Sequence, residues 1–205
     1  EGLLGRGEAA PSGRYNEFTK DILTLLEDGI ELPSEIEDPE LFSDSISKQC
    51  KGIKALEVAF SMATLDWWCQ KHSIPIYEYF GGNPENAPNT SYTISIGEMS
   101  VIPEKVKESA PYNILKVKLG VGINEDKAII NAIRQETDKL IRVDANEGWD
   151  LISGIEMSHW LERRNVEFIE QPFKASNLSD TATLRKESPL PIIADENSLN
   201  SSDIP

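Results

Sequence analysis

The chain has 205 residues, enough to bury a core in one large domain or two small ones, and a formal net charge of −15. That charge excludes a surface built to track nucleic-acid phosphates or to settle on anionic membranes. No apolar run reaches transmembrane length and no signal peptide is visible, so a cytoplasmic protein without nucleic-acid or membrane partners is expected, although the chain begins with Glu1 rather than Met. Cys50 and Cys69 lie in helix-like sequence and read as buried, reduced thiols.

Taken in order, "GRGEAAPSGRYNE" reads as a strand end followed by a loop. Phe18, Ile22, Leu25 and Leu26 then recur at i, i+4, i+7 and i+8, one face of a helix, which Pro33 is expected to stop. Pro39 to His72 reads as two helices, and "ALEVAFSMATLDWW" in the second is apolar over so much of its circumference that it should be buried. "YEYFGGNPENAPN" is turn chemistry, and a boundary near Ala87 divides the chain into domains 1–87 and 88–205.

Past that boundary the texture changes. "SYTISI", "NILKVKLG", "LIRVDAN", "VEFIEQP" and "LPIIADE" are β-rich runs. Between them stand helix-like runs, "VIPEKVKESA", "NEDKAIINAIRQETDK", "DLISGIEMSHWLERR" and "NLSDTATLRKES". Five strands alternating with helices predict an α/β fold with a parallel sheet and right-handed crossovers.

One charged residue closes each of the last four strands: Lys118, Asp144, Glu170 and Asp195, spaced 26, 26 and 25 residues apart. In a (β/α)₈ barrel such ends meet at the top face, and in an open doubly wound sheet they line a crevice. Either way three carboxylates crowd one spot and repel one another unless a cation neutralises them, and hard oxygen ligands suit Mg²⁺. Each also has a plainer reading. Asp144 fits a strand-to-loop cap, Glu170 a partner for an arginine, and Asp195 a helix cap. The shared spacing favours a joint metal site.

In "ILKVKLG" one face carries Leu115, Val117 and Leu119, and the other Ile114, Lys116 and Lys118. The lysines of an edge strand would face water. In a barrel they point inward, Lys118 above Lys116, where a cation and a second ammonium both favour a neutral amine. A neutral amine is a general base, and a lysine base beside Mg²⁺ suits removal of a proton next to a carboxylate, with the enediolate stabilised by the metal.

"KVKLG", "VDANEGW", "IEQP" and "ADE", in this order and spacing, resemble the enolase superfamily in its muconate-lactonizing subgroup. "GRGEAAPSGRY" and "TSYTISI" are most similar to its dipeptide epimerases, of the L-Ala-D/L-Glu type. The resemblance implies a partial modified TIM barrel of (β/α)₇β type behind a partial α+β capping domain. It makes Asp144, Glu170 and Asp195 Mg²⁺ ligands, Lys118 a catalytic acid/base and Lys116 its K-x-K neighbour. Arg14 and Tyr15 become candidate substrate contacts in a loop over the site, against the plainer reading of a surface loop. A small-molecule dipeptide or other carboxylate and a homo-oligomer are the implied partners.

The subgroup also implies a second catalytic lysine on a sixth strand, beyond Pro205, and cap strands before Glu1, so the natural protein is expected to be longer. Asn197 stands where the family has Ser. Trp149 reads as rim packing, His72 and His159 as structural or solvated, and Arg142 and Asn146 as neighbours on the face of Asp144. o-Succinylbenzoate synthase, N-acylamino acid racemase and muconate cycloisomerase would share the same residues, and a non-catalytic fragment stays open beside them.

Overall fold

The structure, a computed structural model, describes residues 2–32 and 35–204. The chain divides into two compact units, Glu1–Ala87 and Pro88–Pro205.

The ordered elements among the described residues of the first unit are helical: α1 (Thr19–Asp28), α2 (Pro39–Gln49), α3 (Lys54–His72) and the single turn α4 (Ile76–Tyr79). "GRGEAAPSGRYNE" forms no strand there; its ordered piece is the 3₁₀ turn Gly13–Tyr15. Helix α1 ends at Asp28, where Gly29 takes φ +95°, a conformation that favours glycine. Pro33, expected to stop it, lies outside the described residues.

Only Ile22 and Leu25 of the expected apolar stripe are buried. Phe18 precedes the helix and, like Leu26, is exposed. α2 starts as its sequence dictates, with Asp38 accepting from the Glu40 and Leu41 N–H groups and Pro39 in the first turn. A small core of Ile22, Leu25, Phe42, Ile46, Cys50 and Leu56 holds α1, α2 and the start of α3. The expectation that α3 is buried around its circumference fails within this unit: Val58 and Met62 are exposed. Cys50 and Cys69 are free and buried.

The second unit is a five-stranded parallel sheet of β1 (Ser91–Ile94), β2 (Ile114–Lys118), β3 (Leu140–Asp144), β4 (Val166–Glu170) and β5 (Ile192–Ile193). Helices α5 (Ile102–Glu108), α6 (Ile123–Glu136), α7 (Leu151–Glu162) and α8 (Leu178–Glu187) connect them. Strand order equals chain order, β1-β2-β3-β4-β5, so each crossover adds its strand to the same edge. A doubly wound sheet reverses direction partway, whereas a barrel does not, and this sheet follows the barrel rule.

One core, with Leu115, Val117, Ile130, Ile141, Met157 and Ile169 at its centre, packs the helices on one face of the sheet. Alternation then leaves Lys116, Lys118, Arg142 and Asp144 on the other face. Among strand ends the exception is β5. It stops at Ile193, so Asp195, expected to close the fifth strand, stands two residues past it in a bend.

Candidate active site

The sheet register aligns the strand ends in a row. Lys118 pairs with Asp144, Asp144 with Glu170, and Glu170 with Ile193. Two loop devices hold the first pair together. Leu119 donates its N–H to the Asp144 carbonyl at 2.8 Å, and Gly120 and Gly148 meet backbone to backbone. A Cβ on Gly148 would lie 2.3 Å from the Gly120 oxygen, so neither loop tolerates a side chain at that contact.

Beneath them Asp126, fully buried on α6, accepts from the Gly120 and Val121 N–H groups and from Trp149 Nε1 at 2.7 Å. Trp149 thus packs the rim and also ties the β3 loop to the β2 loop. Asp126 escaped sequence reasoning, since an acidic residue in a first helical turn ordinarily reads as solvated.

Glu170 reaches the row through an irregularity in β4. Ile141 pairs with Val166 but Val143 pairs with Ile169, so β4 carries one residue more than β3 between these rungs. The bulge lets Val166 and Ile169 both enter the helix-side core while Glu170 faces the lysines. Arg142 grips the two residues between these rungs, Glu167 and Phe168. Its Nε donates to Glu167 at 2.6 Å, its guanidinium lies 5.3 Å from the Phe168 ring centroid, and its other arm donates to Ser91 Oγ at 3.0 Å. Arg142 therefore shares the face of Asp144 but bonds elsewhere, whereas Asn146, at φ +43°, donates its N–H to Asp144 Oδ1 at 3.0 Å.

Carboxylate oxygens of Asp144, Glu170 and Asp195 come within 4.8 Å of one another, the first buried, the second half-buried and the third exposed. Two ammoniums stand among them. Lys118 Nζ donates to Asp144 Oδ2 at 2.7 Å; Lys116 Nζ donates to Glu170 Oε1 at 2.7 Å and lies 3.0 Å from Asp144 Oδ2. Glu170 is thus paired with a lysine, not the arginine of the plainer reading. Burial disfavours an ionised Asp144, but hydrogen bonds from Lys118, Lys116 and Asn146 outweigh it and hold its pKa below the ordinary value. Burial likewise disfavours a charged Lys116, and its bonds to Glu170 and Asp144 prevail, raising its pKa.

Three carboxylates against two ammoniums leave one negative charge in excess, on an all-oxygen donor set with one exposed member. That is the chemistry of a site for a hard divalent cation.

Asp195, without a strand to hold it, is placed by Gln171. The Gln171 side-chain oxygen accepts the Asp195 N–H at 2.9 Å, and its amide nitrogen donates to the Phe173 carbonyl and to Asn197 Oδ1. Asn197, the departure from the family pattern, in turn donates to the Ala175 carbonyl. Among the described residues the Asp195 side chain caps no helix; the following 3₁₀ turn, Ser201–Asp203, is capped by Asn200.

Arg14 and Tyr15 belong to the first unit, where Tyr15 is half exposed, while the lysines and carboxylates belong to the second. His72 stacks on Trp68, and His159 is exposed on α7.

Comparison with known proteins agrees with this fold. The chain is 36% identical over its whole length to an L-Ala-D/L-Glu epimerase of Bacteroides thetaiotaomicron and 36% identical to an L-Ala-D/L-amino acid epimerase of Pedosphaera parvula. It spans 54% and 60% of those proteins' lengths. The crystal structure of a dipeptide epimerase from Enterococcus faecalis V583, complexed with Mg and the dipeptide L-Leu-L-Tyr, superposes with a TM-score of 0.80 at 27% identity, over 97% of this chain and 58% of that one. Residues 102–204, just over half of the chain, match the profile of the family described as "Enolase C-terminal domain-like", and the chain belongs to that family.

Proposed function

We propose that the protein is an Mg²⁺-dependent isomerase that removes and returns the α-proton of a dipeptide of the L-Ala-D/L-Glu type. The observation that carries the reading is the placement of two lysine ammoniums directly on a cluster of three carboxylates. Asp144, Glu170 and Asp195 would hold the cation. When bound, it supplies positive charge to the substrate carboxylate as negative charge develops there.

The lysines do the rest of the work on this chain. A divalent cation added to the triad turns its excess negative charge into an excess positive one, which loss of one lysine proton cancels. Lys118, at the C-terminal end of β2, would exchange that proton with the substrate. Lys116, one layer deeper on the same strand face, holds Asp144 and Glu170 against their mutual repulsion. Return of the proton to the opposite face requires a second proton carrier, which the reading expects on a further strand. Arg14 and Tyr15 are proposed as substrate contacts, residues 1–87 as a capping domain and residues 88–205 as the barrel side.

The epimerase names of the relatives and the Mg-and-dipeptide complex of the Enterococcus faecalis enzyme support this choice of substrate class. The test is incubation of the complete gene product with Mg²⁺ and L-Ala-L-Glu in D₂O, followed by NMR. Deuterium at the glutamate α-carbon with formation of L-Ala-D-Glu is expected. No deuterium there overturns the reading, and exchange confined to N-acylamino acids transfers the protein to the racemase alternative.

A further inference from the structure

We propose that Gln171 is a positioning residue for the third carboxylate: its side-chain amide, locked by Asn197, fixes the backbone of Asp195 and so completes the cation site. The inference rests on reading the triad as a cation site and goes beyond it, because Gln171 supplies no ligand.

Three observations carry it. First, β5 ends at Ile193, so no strand pairing reaches Asp195. Its backbone N–H is held by Gln171 Oε1 at 2.9 Å, and its carbonyl accepts from the Ser198 N–H. Second, Gln171 is buried, at 2% exposure, and its amide nitrogen is saturated. Its nitrogen spends both protons, on the Phe173 carbonyl at 2.9 Å and on Asn197 Oδ1 at 2.6 Å, and that arrangement fixes which end of the amide faces Asp195.

Third, Gln171 sits at φ +38°, in the left-handed region that residues other than glycine rarely adopt. Such strain persists where the surroundings over-determine it. Here they do: Gln171 donates its own N–H to the Ile193 carbonyl and accepts the Glu147 N–H. One residue therefore ties the β3 loop, the end of β4 and the loop that carries Asp195. A partner that orients a metal ligand ordinarily changes metal affinity when it is removed, without touching the metal.

The test is a titration of the EDTA-stripped complete protein with Mn²⁺, a cation of the same oxygen preference, read by the EPR signal of the free ion. Thermal unfolding in EDTA is recorded alongside. Gln171→Met, which deletes the acceptor, is expected to weaken Mn²⁺ binding by about tenfold or more.

Asn197→Ala frees the amide to turn and is expected to weaken binding about fivefold. A role in folding alone would lower the unfolding temperature of Gln171→Met in EDTA and leave its Mn²⁺ affinity unchanged. That result overturns the proposal. Should the Met variant fail to fold, Asn197→Ala decides alone, and unchanged affinity there overturns the proposal. Absence of saturable Mn²⁺ binding by the unaltered protein would overturn the underlying reading of the triad, a different failure from unaltered binding by the variants.

Discussion

Replacing Lys116 by Met keeps the length and apolar stem of the side chain while deleting an ammonium that serves two carboxylates. Glu170 Oε1 loses a donor at 2.7 Å and Asp144 Oδ2 a cation at 3.0 Å. Removing one partner of a fully buried ion pair costs about 3–5 kcal/mol. Here the cost is smaller. Lys116 is 25% exposed, and Asp144 keeps Lys118 at 2.7 Å and the Asn146 N–H at 3.0 Å. The scale is one charged hydrogen bond, about 2 kcal/mol. For a chain of 205 residues that lowers the unfolding temperature by about 4–8 °C.

The assay is thermal unfolding followed by circular dichroism, first in EDTA and then with excess Mg²⁺. In EDTA the full deficit is expected. With Mg²⁺ the gap should narrow, because the cation takes over neutralisation of the same oxygens and binds the folded state alone. An unchanged unfolding temperature in EDTA would refute the argument that the lysines stabilise the empty cluster. A deficit that Mg²⁺ leaves untouched would refute the claim that cation and ammonium answer the same charge.

Further outcomes follow from the same contacts. In EDTA the lowered pKa of Asp144 contributes stability that is full above about pH 4 and lost as pH falls through its folded value. The raised pKa of Lys116 contributes stability that is full below about pH 10 and lost as pH rises through its folded value. Urea midpoints should therefore fall at both ends of the pH range, and Lys116→Met should flatten the alkaline fall; an unflattened profile contradicts the assignment.

Gly148→Ala places a Cβ 2.3 Å from the Gly120 oxygen, which is backbone and cannot swing aside; a loss of about 3 kcal/mol or more in urea unfolding is expected. Trp149→Phe removes the 2.7 Å indole donor from buried Asp126, which keeps its two backbone donors, so a smaller loss of about 1–2 kcal/mol should appear in the same assay.

Much of the fold past Ala87 was legible because each strand signals its faces through a period of two. The alternation of "ILKVK" separates Leu115 and Val117 from Lys116 and Lys118, and the structure keeps that division. Other features have no local signal. In "VEFIE" apolar residues occupy both parities, so the sequence does not reveal that a bulge turns Val166 and Ile169 the same way. Asp195 looked like a strand residue because "PIIAD" is apolar up to it, whereas pairing with β4 stops at Ile193.

Gln171 and Asp126 were missed for a shared reason. Each has a partner distant in sequence, Asp195 for Gln171 and Trp149 for Asp126, and a buried amide or carboxylate is not distinguished by residue type from a solvated one. In the first unit, the spacing of Phe18 and Leu26 fits a helical stripe, but the helix begins after Phe18 and its buried face is narrower, limited to Ile22 and Leu25.

The most direct test of the strand-end cluster is calorimetric titration of Mg²⁺ into the EDTA-stripped complete protein and its Asp144→Asn, Glu170→Gln and Asp195→Asn variants. One saturable site in the unaltered protein, weakened about tenfold or more by each of the three substitutions, is the result this account predicts. No saturable site, or a site indifferent to any one of the three carboxylates, would contradict it.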